Sequence, residues 1–177
     1  MIEYKRASQK EELEQVLQLQ RDNLPWAVSK AIQKNEGFVT VHHNYDILHE
    51  MNEVCPHILA KEGHQVIGYA LCMHPKFGDT IEILKPMFCE INRVLAPSEP
   101  FLVMGQICIH KDFRRQGIFR GIYDFMLKEL APEFGSIITE VDTKNTRSLE
   151  AHLAVGFQPL ARYQSHHRDW ELIQLKG

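Results

Sequence analysis

Residues 105–125 read GQICIHKDFRRQGIFRGIYDF, and this stretch decides the architecture. Ile107 and Ile109 alternate with Gln106 and Cys108, the two-residue period of a β-strand. From Ile118 onward the apolar residues fall at Ile118, Ile122, Phe125, Met126 and Leu130, the spacing of one helical face. Between strand and helix stand Arg114, Arg115, Gln116 and Gly117. Free N–H groups at a helix start, at the positive end of its dipole, bind anions. Gly117 carries no side chain to hold a phosphate off the backbone. The stretch therefore reads as an anion cradle, with an ordinary strand–turn–helix as the competing reading. It lacks the Gly-Lys-Ser/Thr of a P-loop and the three spaced glycines of a dinucleotide fingerprint.

The surrounding chain narrows what that anion is. Its 177 residues suggest one domain spanning 1–177, and 44% hydrophobic with 24% charged residues is globular composition. A formal charge of −3 argues against a protein that coats nucleic acid. Arg114, Arg115 and Arg120 are thus a local feature, suited to a small anionic ligand. No apolar run approaches the roughly 20 residues that span a bilayer, and the polar start MIEYKRASQKEELE is unlike a signal peptide. Cys55, Cys72, Cys89 and Cys108 form no CxxC pair, which favours reduced thiols and a cytoplasmic location over two disulfides. The pairs His42-His43 and His166-His167 have no third ligand at zinc-like spacing, so a surface position is expected and no metal.

Working outward, Ile2, Tyr4 and Arg6 alternate across a first strand. Ser8 to Glu11 matches a capping box ahead of the stripe Leu13, Val16 and Leu17. Further helices are expected at 26–33, closed by Asn35 and Gly37, and at 45–52, with 38–41 strand-like. Strands at 57–61 and 65–73 flank Gly63 as a hairpin. Leu84, Met87, Phe88, Ile91 and Leu95 make a helix with Pro86 in its first turn. A buried strand at 136–141, a helix at 145–155 stopped by Gly156, and closing strands at 157–164 and 170–175 complete the chain. The fold class expected is mixed α/β: one mostly antiparallel central sheet flanked by helices.

A second segment changes the weight of the first. Asn145, Ser148 and His152 lie at i, i+3 and i+7 on one helix face, either toward solvent or lining a cleft. Together, Arg114-Arg115-Gln116-Gly117-Ile118-Phe119 and NTRSLEAHLAVGF (145–157) resemble the paired signatures of the GNAT superfamily of acyl-CoA-dependent N-acyltransferases. Two positions depart from its pattern. Phe119 replaces a small residue, and His152 stands where many relatives carry a tyrosine.

The resemblance implies an N-acetyltransferase that moves the acetyl group of acetyl-CoA directly to a primary amine in a ternary complex. It places the pyrophosphate on the amides of 115–119, with Arg114, Arg115, Gln116, Gly117, Ile118 and Phe119 forming the cradle. Pantetheine would follow Ile107, Cys108 and Ile109 and meet Asn145 and Ser148. It makes His152 the candidate acid for the departing thiol, against the alternative that a helix histidine only packs, since an imidazole of pKa about 6.5 suits that task. Glu140 is the favoured base, with Glu82, Glu90 and a water relay as alternatives; Gln106 orients water at most. Cys108 reads as a packing thiol rather than a nucleophile. Trp26, Tyr69, Phe77 and Phe88 are either acceptor wall or core. The partners implied are acetyl-CoA and an amine acceptor, with no nucleic acid and no membrane, and a homodimer is admitted. A non-catalytic acyl-CoA sensor is the competing function, and a longer acyl group the third.

Overall fold

The computed structural model describes residues 1–24, 43–130 and 132–177. The elements expected at 26–33 and 38–41, with Trp26, Asn35, Gly37 and His42, lie outside the described residues. In chain order the elements are β1 (Ile2–Arg6), α1 (Lys10–Arg21), α2 (Tyr45–Val54), β2 (Ile58–Glu62), β3 (Gln65–Met73), α3 (Lys85–Val94), β4 (Phe101–Ile109), α4 (Ile118–Leu130), β5 (Ser136–Asp142), α5 (Thr146–Val155), β6 (Gln158–Ser165) and β7 (Arg168–Lys176).

The strands form a seven-stranded sheet in the order β1-β2-β3-β4-β5-β7-β6. Its neighbours are antiparallel except β4 and β5, which run parallel. The mixed, mostly antiparallel sheet flanked by helices is thus what the pattern of apolar residues indicated. Alternating side chains supply a core on each face. Ile122, Tyr123 and Met126 of α4 pack on Ile58, Ile67, Ala70, Leu102 and Ile137. On the other face, α1 and α2 cover Leu59, Tyr69 and Leu71, and α3 covers Val103, Ile138 and Leu172.

Local sequence sets most boundaries. Gly63 turns the β2–β3 hairpin at φ +59°, Pro86 lies in the first turn of α3, and Gly156 ends α5 at φ +127°. Gly121, inside α4, makes room for a neighbour: a Cβ there would lie 2.1 Å from the Tyr4 hydroxyl oxygen. The capping box of α1 sits one residue later than expected. Gln9 is the cap, and Glu12 rather than Glu11 reaches back to the backbone. The reason is burial. Glu12 is 1% exposed and accepts the N–H groups of Ser8 (3.0 Å) and Gln9 (3.3 Å). It also faces Lys5 of β1 at 2.6 Å and Lys61 of β2 at 2.8 Å. Glu11, on the exposed side, has no such partners in reach.

Although burial alone would raise the Glu12 carboxyl, the lysines and N–H groups prevail and hold it down at about 2. A carboxyl depressed on folding stabilises fully above its unfolded value, near 4.5, and loses that contribution as pH falls toward 2. Glu12→Gln should therefore cost about 3 kcal/mol at pH 7. Urea unfolding should show this gap narrowing steadily between pH 5 and pH 2. A gap that stays constant across that range would show the loss to be packing rather than charge.

Candidate active site

The site is built on a fault in the central strand. Leu71 of β3 pairs with Gln106, whereas the next residue, Cys72, pairs with Met104, so Gly105 is an extra residue bulged out of β4. The bulge reverses the alternation. Leu102 and Met104 face α4 before it; Ile107 and Ile109 face α4 after it, and Gln106 and Cys108 turn to the α1 side. Pairing of β4 with β5 stops at Val103 opposite Ile138. Beyond that point the strands part, and Gly105 is exposed in a strand whose other residues are buried or half-buried. Among the described residues, the β5-facing edge of β4 beyond Val103 is left without a paired strand, beside a gap between the two strands. An extended, amide-bearing chain can use such an edge as a missing strand would.

The gap opens toward the cradle. After β4, a short turn at Lys111–Phe113 leads to Arg115 at φ +62° and Gly117 at φ +80°, and α4 begins at Ile118. Two left-handed residues in three turn successive N–H groups to one side, the geometry of an anion nest. A Cβ added at Gly117 would meet nothing within 4 Å, so the space over the backbone there is open. The residues present fit a phosphate group. Arg114 serves the turn more than the ligand. Its guanidinium donates to the Ile109 carbonyl (3.1 Å) and to Asn23 Oδ1 (2.5 Å), clamping the turn to β4 and to the end of α1. Gln116 donates to the Asp112 carbonyl, and Arg120 to the Ala154 carbonyl at the C-terminus of α5.

Asn145 and His152 on the polar face of α5 are buried and Ser148 is half-buried, while the apolar Leu153 is 42% exposed. Asn145 caps the helix, its side-chain oxygen accepting the Ser148 N–H at 3.4 Å. Ser148 is half-buried, and its carbonyl accepts a hydrogen bond from His152 Nδ1 at 2.7 Å. That bond places the ring proton on Nδ1, so Nε2 is the acceptor of the Tyr123 hydroxyl at 2.8 Å. His152 is 1% exposed, and burial pushes its pKa down to about 4. The rings of Phe119, Tyr123 and Phe157 stand edge-on around it at 5.0, 5.6 and 5.1 Å. This geometry speaks against the acid role that the resemblance suggested. The imidazole is neutral, walled in and bonded at both nitrogens.

On the other face of the sheet, two polar groups flank the gap. On β4, Gln106 Oε1 accepts from the Tyr69 hydroxyl and from Gln20 Nε2, each at 2.6 Å, and Gln20 Oε1 accepts the His43 N–H at 2.7 Å. On β5, Glu140 shares its face with Ile138 and accepts the hydroxyl of Tyr163 on β6. Burial raises the Glu140 carboxyl to about 8. The other candidate bases are engaged elsewhere: Glu82 by Lys85, Glu90 by Arg93. Cys108 is buried, which pushes its thiol up to about 12 and makes a thiolate inaccessible near neutral pH. Tyr69, Phe77 and Phe88 are core residues. Tyr163 and the Gln20–Gln106 link went unseen in the sequence, because β6 reaches β5 only through β7 and α1 reaches β4 only across the sheet.

Comparison with known proteins agrees with this geometry. The family model described as acetyltransferase (GNAT) family matches residues 13–157. No curated protein matches the chain in sequence. Among solved structures, the ribosomal-protein-S18-alanine N-acetyltransferase of Escherichia coli superposes with a TM-score of 0.66 at 11% identity, over 99% of this chain and 94% of that one. Ard1 from Thermoplasma volcanium gives 0.67 at 14%, over 99% and 97%. A GNAT-family acetyltransferase from Streptococcus agalactiae gives 0.68 at 15%, over 99% and 95%. At such identities the superpositions speak for the fold alone. The family match, which spans both the cradle and the α5 segment, places this chain in the acetyltransferase (GNAT) family.

Proposed function

We propose that the protein transfers an acetyl group from acetyl-CoA to a primary amine, directly and in a ternary complex. The observation that carries this reading is the parting of β4 from β5 at Gly105, with the gap leading to a left-handed turn at a helix start. The amides of 115–119 would hold the pyrophosphate, the free edge of β4 at Ile107 and Ile109 the pantetheine, and the thioester supplies the acyl group. Arg114 and Asn145 act as clamp and cap of the elements that form the site.

Transfer requires a neutral amine. Glu140, on the far lip of the gap, is our candidate base: its carboxylate takes one ammonium proton, leaving a lone pair to attack the acyl carbon. The second proton leaves with the thiolate or to solvent. A thiol of pKa about 8.5 departs without a strong acid, so the engagement of His152 at both nitrogens costs the reaction little. We assign His152 a positioning role, holding α5 against α4.

Three measurements test the reading. Thiol release from acetyl-CoA across a panel of amines should identify at least one acceptor. Tight CoA binding with no release on any amine would favour a non-catalytic acyl-CoA sensor. With that acceptor, kcat/KM should rise with pH and level off above about 8, because the base acts only when ionised. Glu140→Gln should lower it by about two orders of magnitude and flatten the rise. In equilibrium binding, Gly117→Val should abolish CoA affinity, since a β-branched residue resists φ +80° and its side chain enters the anion's space. Arg114→Ala should weaken affinity only about tenfold. Equal losses would mean that the amides are not the principal contact.

A further inference from the structure

Two of the four thiols meet inside the core. Cys55 caps the end of α2, on the connection into β2, and Cys72 lies within β3. Both belong to the core that α4 covers, and both are unbridged. Ile58 of β2 lies opposite Ala70 of β3, so the connection runs beside the stretch of β3 that carries Cys72. The Cys72 N–H donates to His57 Nδ1 at 3.0 Å, which ties that connection to the strand. His57 is held in turn: Asn52 Oδ1 accepts its N–H at 2.9 Å, and its Nε2 donates to the Leu48 carbonyl at 3.0 Å. Within this frame the Cys55 and Cys72 side chains are hydrogen-bonded to each other.

A buried cysteine most often serves as a small apolar filler. Cys108 is one: its thiol reaches the neighbouring Ile109 carbonyl at 3.9 Å, and burial pushes it up to about 12. The Cys55–Cys72 pair differs in its surroundings. The bond from Cys72 and the positive charge of Arg6 hold the Cys55 thiol below its ordinary value, against burial and the charge of Glu133. The same bond, with burial, pushes Cys72 up. Arg6 is half-buried, with its guanidinium donating to the Glu129 carbonyl at 2.8 Å and 3.6 Å from the Glu129 carboxylate. His57 is neutral, since burial pushes it down to about 4. Cys55 sits in a connecting bend and Cys72 in a strand interior. An attacking thiol needs thiolate character and an opening to solvent, whereas a resolving thiol needs only to be in reach. Cys55 suits the first task and Cys72 the second.

We propose that Cys55 and Cys72 form a modification site: a hydroperoxide oxidises the pair to a disulfide, and a dithiol reductant restores it. With hydrogen peroxide, the Cys55 thiolate attacks one peroxide oxygen and the O–O bond breaks. Hydroxide leaves and takes up the proton that Cys55 released, giving water. The Cys72 sulfur then attacks the Cys55 sulfenic acid, so that the S–S bond forms as the S–O bond breaks. The sulfenic hydroxyl leaves with the Cys72 proton as a second water. The two thiols lose two electrons and the peroxide gains them. The new bond fastens the connection after α2 to the strand beside the β4 bulge, because Cys72 pairs with Met104, next to Gly105. The site stands apart from the acyl-transfer reading, since no residue assigned to that reaction takes part.

The test uses the full chain carrying Cys89→Ser, which removes the exposed thiol of α3 and leaves Cys55, Cys72 and Cys108. Treatment with about ten molar equivalents of hydrogen peroxide should remove two of those three thiols, counted after unfolding. The intact mass should fall by two hydrogens, and peptide mapping should recover Cys55 and Cys72 in one linked fragment. Dithiothreitol should return both thiols. The linked chain should unfold about 5 °C higher than the reduced one, because the bond shortens the unfolded chain's free loop between positions 55 and 72. A further Cys55→Ala change should leave Cys72 and Cys108 as thiols under the same treatment. Retention of all three thiols in the parent chain would overturn the proposal. So would oxygen added to Cys55 without a link, a link to Cys108, or a linked form no more stable than the reduced one. Loss of the Cys72 thiol in the Cys55→Ala chain would overturn it as well.

Discussion

One extra residue in one strand governs the rest of the molecule. Gly105 is the residue by which β4 outruns β3, and from that point two strands that began as a parallel pair separate. A sheet of this size normally satisfies its backbone groups internally. Here, among the described residues, β4 beyond Val103 has no strand paired to it on its β5 side. The same bulge inverts which side chains of β4 face which layer. Gln106 is thereby brought to the α1 side and Ile107 to the α4 side, in a strand whose two halves obey opposite parities.

The two departures from the family pattern have a common explanation. Phe119 is large because His152 is buried against it, and His152 can be buried because Phe119, Tyr123 and Phe157 enclose it. A tyrosine at position 152 would bring a hydroxyl and a longer reach. An imidazole bonded to the Tyr123 hydroxyl and the Ser148 carbonyl instead ties α5 to α4 and to its own preceding turn. The aromatic cluster makes His152 a strut between two helices. On the other face of the sheet, burial raises the Glu140 carboxyl to about 8, and the Tyr163 hydroxyl donates to it.

Charge is otherwise used in this protein to close structure. Glu12 joins β1, α1 and β2 through two lysines, and Arg114 joins the cradle to β4 and to the end of α1. Such pairs are stiff only because they are shielded from water. An exposed equivalent such as Lys10–Glu14 at 3.7 Å contributes little. The rigid frame they make is what a strand gap needs, since an unpaired edge left flexible would close by re-pairing.

Period and punctuation are local quantities, and they determined the elements. The two-residue alternation of 106–109, the helical stripe from Ile118, the turn at Gly63, Pro86 and the stop at Gly156 all reappear where the chain alone put them. The turn ahead of α4 was legible for the same reason, because a glycine ahead of an amphipathic helix fixes its own geometry. Three things were decided only by folding. Gly105 became a bulge because its neighbours Gln106 and Met104 pair with the consecutive residues Leu71 and Cys72, thirty-odd residues away, and nothing in its own neighbourhood signals that. The polar stripe Asn145–Ser148–His152 turned inward because Tyr123 and Phe119 offered His152 a partner and a wall, which a helical wheel does not contain. Glu140 received its Tyr163 partner from a strand that β5 reaches only through β7. Which acids receive a cation depends on strands brought together by the sheet, and that pairing is a property of the tertiary structure alone.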